Sequence, residues 1–192
     1  GKLVTETIDP KFVIEILINE QTDQKKLVGA PDAETRLKAA ERVLVRYGLN
    51  GEETFRYTSS KTDALGPAQI MPKTYSNPRG GTGMVQRYLS ANLIKDLDIG
   101  RVDMVNAIMA QILVFDDHLT HVISRVNRNG YGAKQVFANL SPDQLNEVRS
   151  MIYNGGPGKY NIATGGLDLK ARGAKETLGF IQKLRIIRDL KL

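Results

Sequence analysis

Between residues 102 and 126, apolar side chains recur every three or four positions: Val102, Val105, Met109, Ile112, Phe115, Leu119, Val122 and Val126. That period gathers them on one side of an α-helix and on neither face of a strand, so a long amphipathic helix is predicted there. Asn127 to Gly132 breaks it. A helix of this length needs other helices to cover its apolar face.

The rest of the chain supplies them. Asp9-Pro10 has a capping residue followed by a proline suited to the first helical position, and Val13, Ile16 and Leu17 follow at helical spacing. Glu20 continues that stripe seven residues after Val13, so its carboxylate is expected at the core or a cleft wall. Residues 21–33 read as a loop. Residues 34–47 read as a helix with Leu37, Ala40, Val43, Leu44 and Tyr47 inward, ended by Gly48. In the polar stretch 49–66, alternation around Phe55 and Tyr57 allows a short β-hairpin. Short helices are predicted at 67–76, starting at Pro67, and at 84–95, with a turn-rich joint from Asn77 to Gly83 between them. Ser141-Pro142-Asp143-Gln144 has the form of a capping box, followed by Leu145, Val148 and Ile152 on one face and a sharp stop at Asn154 to Gly158. A last helix is expected over about 172–188, with Leu178, Ile181 and Leu184 inward. The fold class is mainly α, one domain, with a small β element near 50–66.

Composition narrows the chemistry. Cysteine is absent, which removes disulfides, thiolate metal sites and cysteine nucleophiles together. No run approaches the roughly 18 apolar residues of a membrane helix. The first residues carry no charged-then-apolar leader, and a chain beginning at Gly1 reads as a processed or trimmed form. The net charge of +6 favours a polyanionic partner: nucleic acid, an anionic membrane or a cell wall. Tryptophan is missing, which weakens base stacking. The densest basic run, Lys183 to Lys191, reads as the solvated side of the terminal helix, so no nucleic-acid partner is expected. Asp117, His118 and His121 lie close together but lack a distant third ligand, so no metal is expected either.

Four segments resemble one family. Ile8-Asp9-Pro10 with its helix to Glu20 resembles the helix that ends in the catalytic Glu of the soluble lytic transglycosylase and goose-type lysozyme superfamily. Ala64 to Thr74, which contains Gln69-Ile70-Met71-Pro72, resembles the Gly-Leu-Met-Gln-Ile-Met-Pro-x-Thr segment. Ile152-Tyr153-Asn154-Gly155-Gly156-Pro157-Gly158 is similar to Ala-Tyr-Asn-Ala-Gly-Pro-Gly. Glu176 to Leu184 resembles the closing Glu-Thr-x-x-Tyr-Val pattern, and Asn106 to Ala110 is a weaker match to Asn-Ile-x-x-Gly. The resemblance runs from about residue 8 to 187 in the family's order.

It implies a lysozyme-like fold and a monomer acting on peptidoglycan glycan strands, with no cofactor. The setting is periplasmic, extracellular or phage-associated. Glu20 would be the single acid/base that leaves 1,6-anhydromuramic acid ends. Gln69, Met71, Tyr153, Asn154 and Glu176 would line the sugar cleft. There are also departures. Gln21 stands where the family usually has Ser, and residues 21–63, with a whole helix, intervene where the family has a short loop. This insertion is expected to form a lid or extra wall. Glu53 or Glu52 is then an alternative catalytic acid. Asp63, Glu52 or Glu53 could instead be a second carboxylate for an inverting muramidase. A degenerate, purely peptidoglycan-binding relative is the remaining alternative.

Overall fold

The computed structural model describes residues 8–77, 80, 83–132, 136–137 and 139–190. Among these the protein is mainly helical, with one small two-stranded sheet. The expectations for residues 1–7, for the middle of the 77–83 joint and for Lys191 lie outside the described residues.

Helix α1 spans Pro10–Gln21, and the Asp9 side chain caps it by accepting from the Lys11 amide. Phe12, Val13, Ile16, Leu17 and Ile18 are all buried, distributed over three separate core clusters. A helix covered on nearly every side can turn Glu20, beyond buried Asn19, toward a cleft only where it emerges at its end. After it come α2 (Gln24–Val28) and α3 (Ala33–Asn50). The expected loop at 21–33 therefore contains a helical turn, because Asp23 accepts from the Lys25 and Lys26 amides and nucleates it. Gly48 does not end α3. Gly51, at φ +52°, does so in its place, and Gly48 stays helical with open space around it.

Residues 54–71 cross the molecule as a tight loop. The expected hairpin is reduced to two isolated antiparallel bridges, Ser59 with Leu65 and Leu65 with Ile70. The next helix, α4, begins at Pro72 and not at Pro67 (Pro72–Tyr75), because residues 66–69 form a turn closed by the Gln69 amide on the Gly66 carbonyl. The helix expected at 84–95 is only α5 (Met84–Arg87) and a single 3-10 turn, and its Leu89 is exposed. Helix α6 (Leu97–Val102) follows.

The long helix, α7, spans Met104–Arg128, with Asp103 as its cap. At 25 residues it is roughly 37 Å long. From Phe115 onward it buries the predicted Phe115, Val122 and Val126, but before that Val105 and Met109 are exposed and Ala107, Ala110 and Val114 are buried. Small side chains there let Ala68, Ile70, Tyr75 and Met84 approach closely. Buried Asn106 donates to the Tyr75 hydroxyl and the Gly100 carbonyl, and accepts from the Ile94 amide.

Helix α8 (Pro142–Gly155) carries both bonds of the predicted capping box between Ser141 and Gln144. It stops where Gly156 takes φ +79° and ψ 162°, a region open essentially to glycine alone. Strands β1 (Tyr160–Asn161) and β2 (Gly166–Leu167) pair antiparallel. The last helix, α9 (Ala174–Asp189), packs on α1, α2 and α8. Ile181 and Leu184 are buried as expected, whereas Leu178 is partly exposed. No described helix is long and apolar enough to cross a membrane.

Candidate active site

The end of α1, the loop 54–71, the middle of α7, the end of α8 and the start of α9 meet around one cleft, with a cavity of about 160 Å³. Glu20, Gln69, Met71, Tyr153, Asn154 and Glu176 all line it. Residues from four distant stretches of sequence thus converge on one place.

Glu20 is half-buried in the wall and makes no salt bridge among the described residues. Burial pushes its carboxyl up to about 8. Lys183 works against that rise and the Glu176 carboxylate adds to it. Glu15, on the same helix, provides the contrast: it is buried but is paired with Arg188 at 3.5 Å.

The loop opposite is held in place by hydrogen bonds. The Gln21 amide donates to the Gly66 and Pro67 carbonyls at 3.3 and 2.9 Å. The residue that departs from the family pattern therefore ties the end of α1 to the loop. Arg101, buried under it, donates to the carbonyls of Asp63 (2.7 Å) and Ile70 (3.3 Å). Gln69 sits at φ +49° and donates its amide to the Thr58 and Gly66 carbonyls, both at 2.8 Å. It lines the cleft while its nitrogen holds the loop. Met71 is exposed at the rim and is not core packing.

Tyr153 donates its hydroxyl to the Ala68 carbonyl, and its ring packs on Phe115 at 4.9 Å. Burial first, then the neighbouring Glu20 carboxylate, push its phenol well above the ordinary range. It is a neutral wall that joins α8 to the loop. Asn154 follows it in the last turn of α8, and exposed Glu176 closes the rim from α9.

The alternative acids lie elsewhere. Glu53 pairs with Arg56 on the surface, and Glu52 borders a separate apolar groove with Ile14, Leu44 and Tyr47. Asp63 is exposed at φ +65° and is not among the residues lining the cleft. Of the insertion, Ser60 and Thr62 line the cleft. Its helix α3 packs away from the cleft, in a core with Ile18, Leu27 and Ile187. The insertion contributes a strip of wall and a buttress behind α1, and no lid.

Sequence reasoning missed His118 as a cleft residue. It projects from α7 one turn beyond Val114, with Nδ1 2.8 Å from the Ile152 carbonyl. Burial lowers its pKa. The signal was available, since Gln111, Val114 and His118 recur at helical spacing on a face where two polar residues interrupt an apolar stripe. Among the described residues no three His, Cys, Asp or Glu side chains are grouped to hold a metal. The basic run also needs correction. Lys183 is buried, Arg185 pairs with Glu147, and Arg188 pairs with Glu15 and Asp143, so this is not a free solvated face.

Comparison with family models, with curated proteins and with solved structures finds no match to the chain. What the cleft does therefore rests on its own geometry.

Proposed function

We propose that this chain is a glycan-cleaving enzyme built around one acid/base carboxylate, Glu20. More specifically, we read it as a peptidoglycan lytic transglycosylase with a lysozyme-like fold, acting outside the cytoplasm or from a phage particle. The observation that carries the reading is a half-buried acid with no salt bridge among the described residues and its pKa raised to about 8, facing a cleft lined by Gln69, Met71, Tyr153 and Asn154. A carboxyl with that value is neutral at pH 7 and has a proton to give.

The chemistry needs no second group. Glu20 protonates the glycosidic oxygen between N-acetylmuramic acid and N-acetylglucosamine, and the C1–O bond breaks. The ionised carboxylate then takes the proton from the C6 hydroxyl of the muramic acid, whose oxygen closes on C1. The proton lost by the C6 hydroxyl replaces the one given to the leaving group, and no water is consumed. Two-carboxylate glycosidases place a nucleophile or base across the ring. Here the other carboxylate lining the cleft, among the described residues, is Glu176, near enough to raise the pKa of Glu20. Neutral Tyr153 and Asn154 offer no base.

Mass spectra of digested sacculi test this reading. Anhydro ends, one water lighter than reducing ends, are expected, and reducing ends would replace the lyase with a hydrolase. Glu20→Gln should lower lysis at least about a hundredfold. Equal lysis by both proteins would remove Glu20 from the mechanism, and lysis by neither would leave a binding module.

A further inference from the structure

Among the described residues Lys183 is the one buried lysine: on α9 it is only 7% exposed. Lysines normally extend their ammonium to water along the side-chain stem. This one turns inward and donates to the carbonyls of Asn19 at 2.5 Å and Thr22 at 2.9 Å. Those two carbonyls flank Glu20 in sequence and belong to the C-terminal turn of α1 and its cap, the negative end of the helix dipole. Lys183 makes no salt bridge with a carboxylate among the described residues.

The grip has further points. Asn19 donates its side-chain amide to the Phe180 carbonyl at 3.0 Å, and the Phe180 ring lies 5.5 Å from the Lys183 ammonium. Glu176, Phe180 and Lys183 are spaced four and three residues apart, which puts them on one face of α9. That single face holds the end of α1 and brings a negative group to the cleft rim.

We propose that Lys183 is a positioning residue for Glu20: its ammonium locks the last turn of α1 so that the acid faces the cleft, and its charge, opposed by Glu176, sets the pH range over which Glu20 can donate. The inference rests on the reading of Glu20 as the catalytic acid. The electrostatics agree in direction. Burial raises Glu20 most, Lys183 lowers it and Glu176 raises it. In return burial pulls Lys183 down, while Glu20 and Asp23 hold it up. Among the described residues, the other titratable groups lining the cleft are His118 from α7 and Tyr153 from α8. Burial favours the neutral form of both. From α3, Arg42 and Arg46 face a different groove, beyond Gln21 and Thr22.

Removing the Lys183 charge takes away an interaction that favours the carboxylate, so Glu20 keeps its proton to higher pH. Removing the Glu176 charge does the reverse. The test is the alkaline limb of kcat/KM on soluble glycan strands for wild type, Lys183→Met, Lys183→Arg and Glu176→Gln. In Lys183→Met the limb should move up by about one unit, with kcat lower by about tenfold or more as the turn loosens. Lys183→Arg should keep the limb in place, and Glu176→Gln should move it down. A limb that stays put or falls in Lys183→Met overturns the proposal, because a merely structural lysine changes amplitude without moving the limb.

The Glu20 carboxyl carbon, followed by NMR without substrate, separates the two readings. A midpoint higher in Lys183→Met than in wild type supports the coupling, and an unchanged midpoint overturns it. A wild type that cleaves no glycan overturns the assignment of Glu20 as the acid, with the coupling then decided by that midpoint. If Lys183→Met does not fold, the wild-type Lys183 Nζ resonance decides: it must show a step at the Glu20 midpoint, and a flat profile overturns the coupling.

Discussion

Two carboxylates on α1 show how one helix builds two different acids. Glu15 and Glu20 are both withdrawn from bulk water, and burial raises both. Glu15 has the Arg188 guanidinium beside it, whereas Glu20 faces a cleft with Glu176 at its rim. The difference reaches into stability. The folded-state pKa of Glu20, about 8, lies above its ordinary 4.5, so the fold binds the proton more tightly than the unfolded chain does. The stability this contributes is fully present below pH 4.5 and is lost as pH rises through about 8. Glu20→Gln has no proton to lose. Its melting temperature relative to wild type should therefore climb between pH 5 and pH 8 and then level off. The gain at pH 8 should be about 1 kcal/mol, roughly 2–4 °C, well below the full value of the shift because the group keeps partial contact with water. Parallel melting curves for the two proteins across that window would mean that Glu20 is not held protonated by the fold.

At the scale of elements, capping chemistry was legible and helix faces were less so. Asp9-Pro10 and Ser141 to Gln144 start helices as their residues dictate, since those bonds are local. The inward face of α7 was misjudged at Val105 and Met109, because a tightly approached helix buries small alanines and leaves larger side chains at the flank. The convergence of Glu20, Gln69, Tyr153 and Glu176 on one cleft was legible only through the order of motifs. The bonds that enforce it, from Gln21, Arg101 and Tyr153 to loop carbonyls, have no local signature.

Glycines test this division. Gly66 has φ +79°, and a Cβ there would sit 1.9 Å from the Arg101 carbonyl oxygen, so Gly66→Ala should cost more than about 2 kcal/mol and disturb the cleft wall. Gly48, helical and surrounded by open space, should gain about 0.5–1 kcal/mol as Gly48→Ala. Urea unfolding midpoints check both. A destabilised Gly48→Ala would restore that position as the end of the helix.

For the whole molecule, the remaining sequence feature is the net charge of +6. Much of the local charge is neutralised in pairs: Arg87 with Asp117, Arg185 with Glu147, Arg188 with Glu15 and Asp143. The excess therefore acts at long range, as a field that draws the protein toward an anionic surface, whereas bond cleavage depends on the short-range surroundings of Glu20. Salt separates these two roles. Raising ionic strength from 0.1 M to 1 M shortens the screening length from about 10 Å to about 3 Å, which removes the long-range attraction and leaves interactions inside the cleft much less affected. Lysis of intact sacculi, whose peptide carboxylates make them polyanionic, should fall about five- to tenfold over that range. Turnover of a short neutral chitooligosaccharide should change less than about twofold. If both rates fall together, the charge acts in the cleft itself. If neither falls, the basic surface serves solubility and has no part in finding the wall.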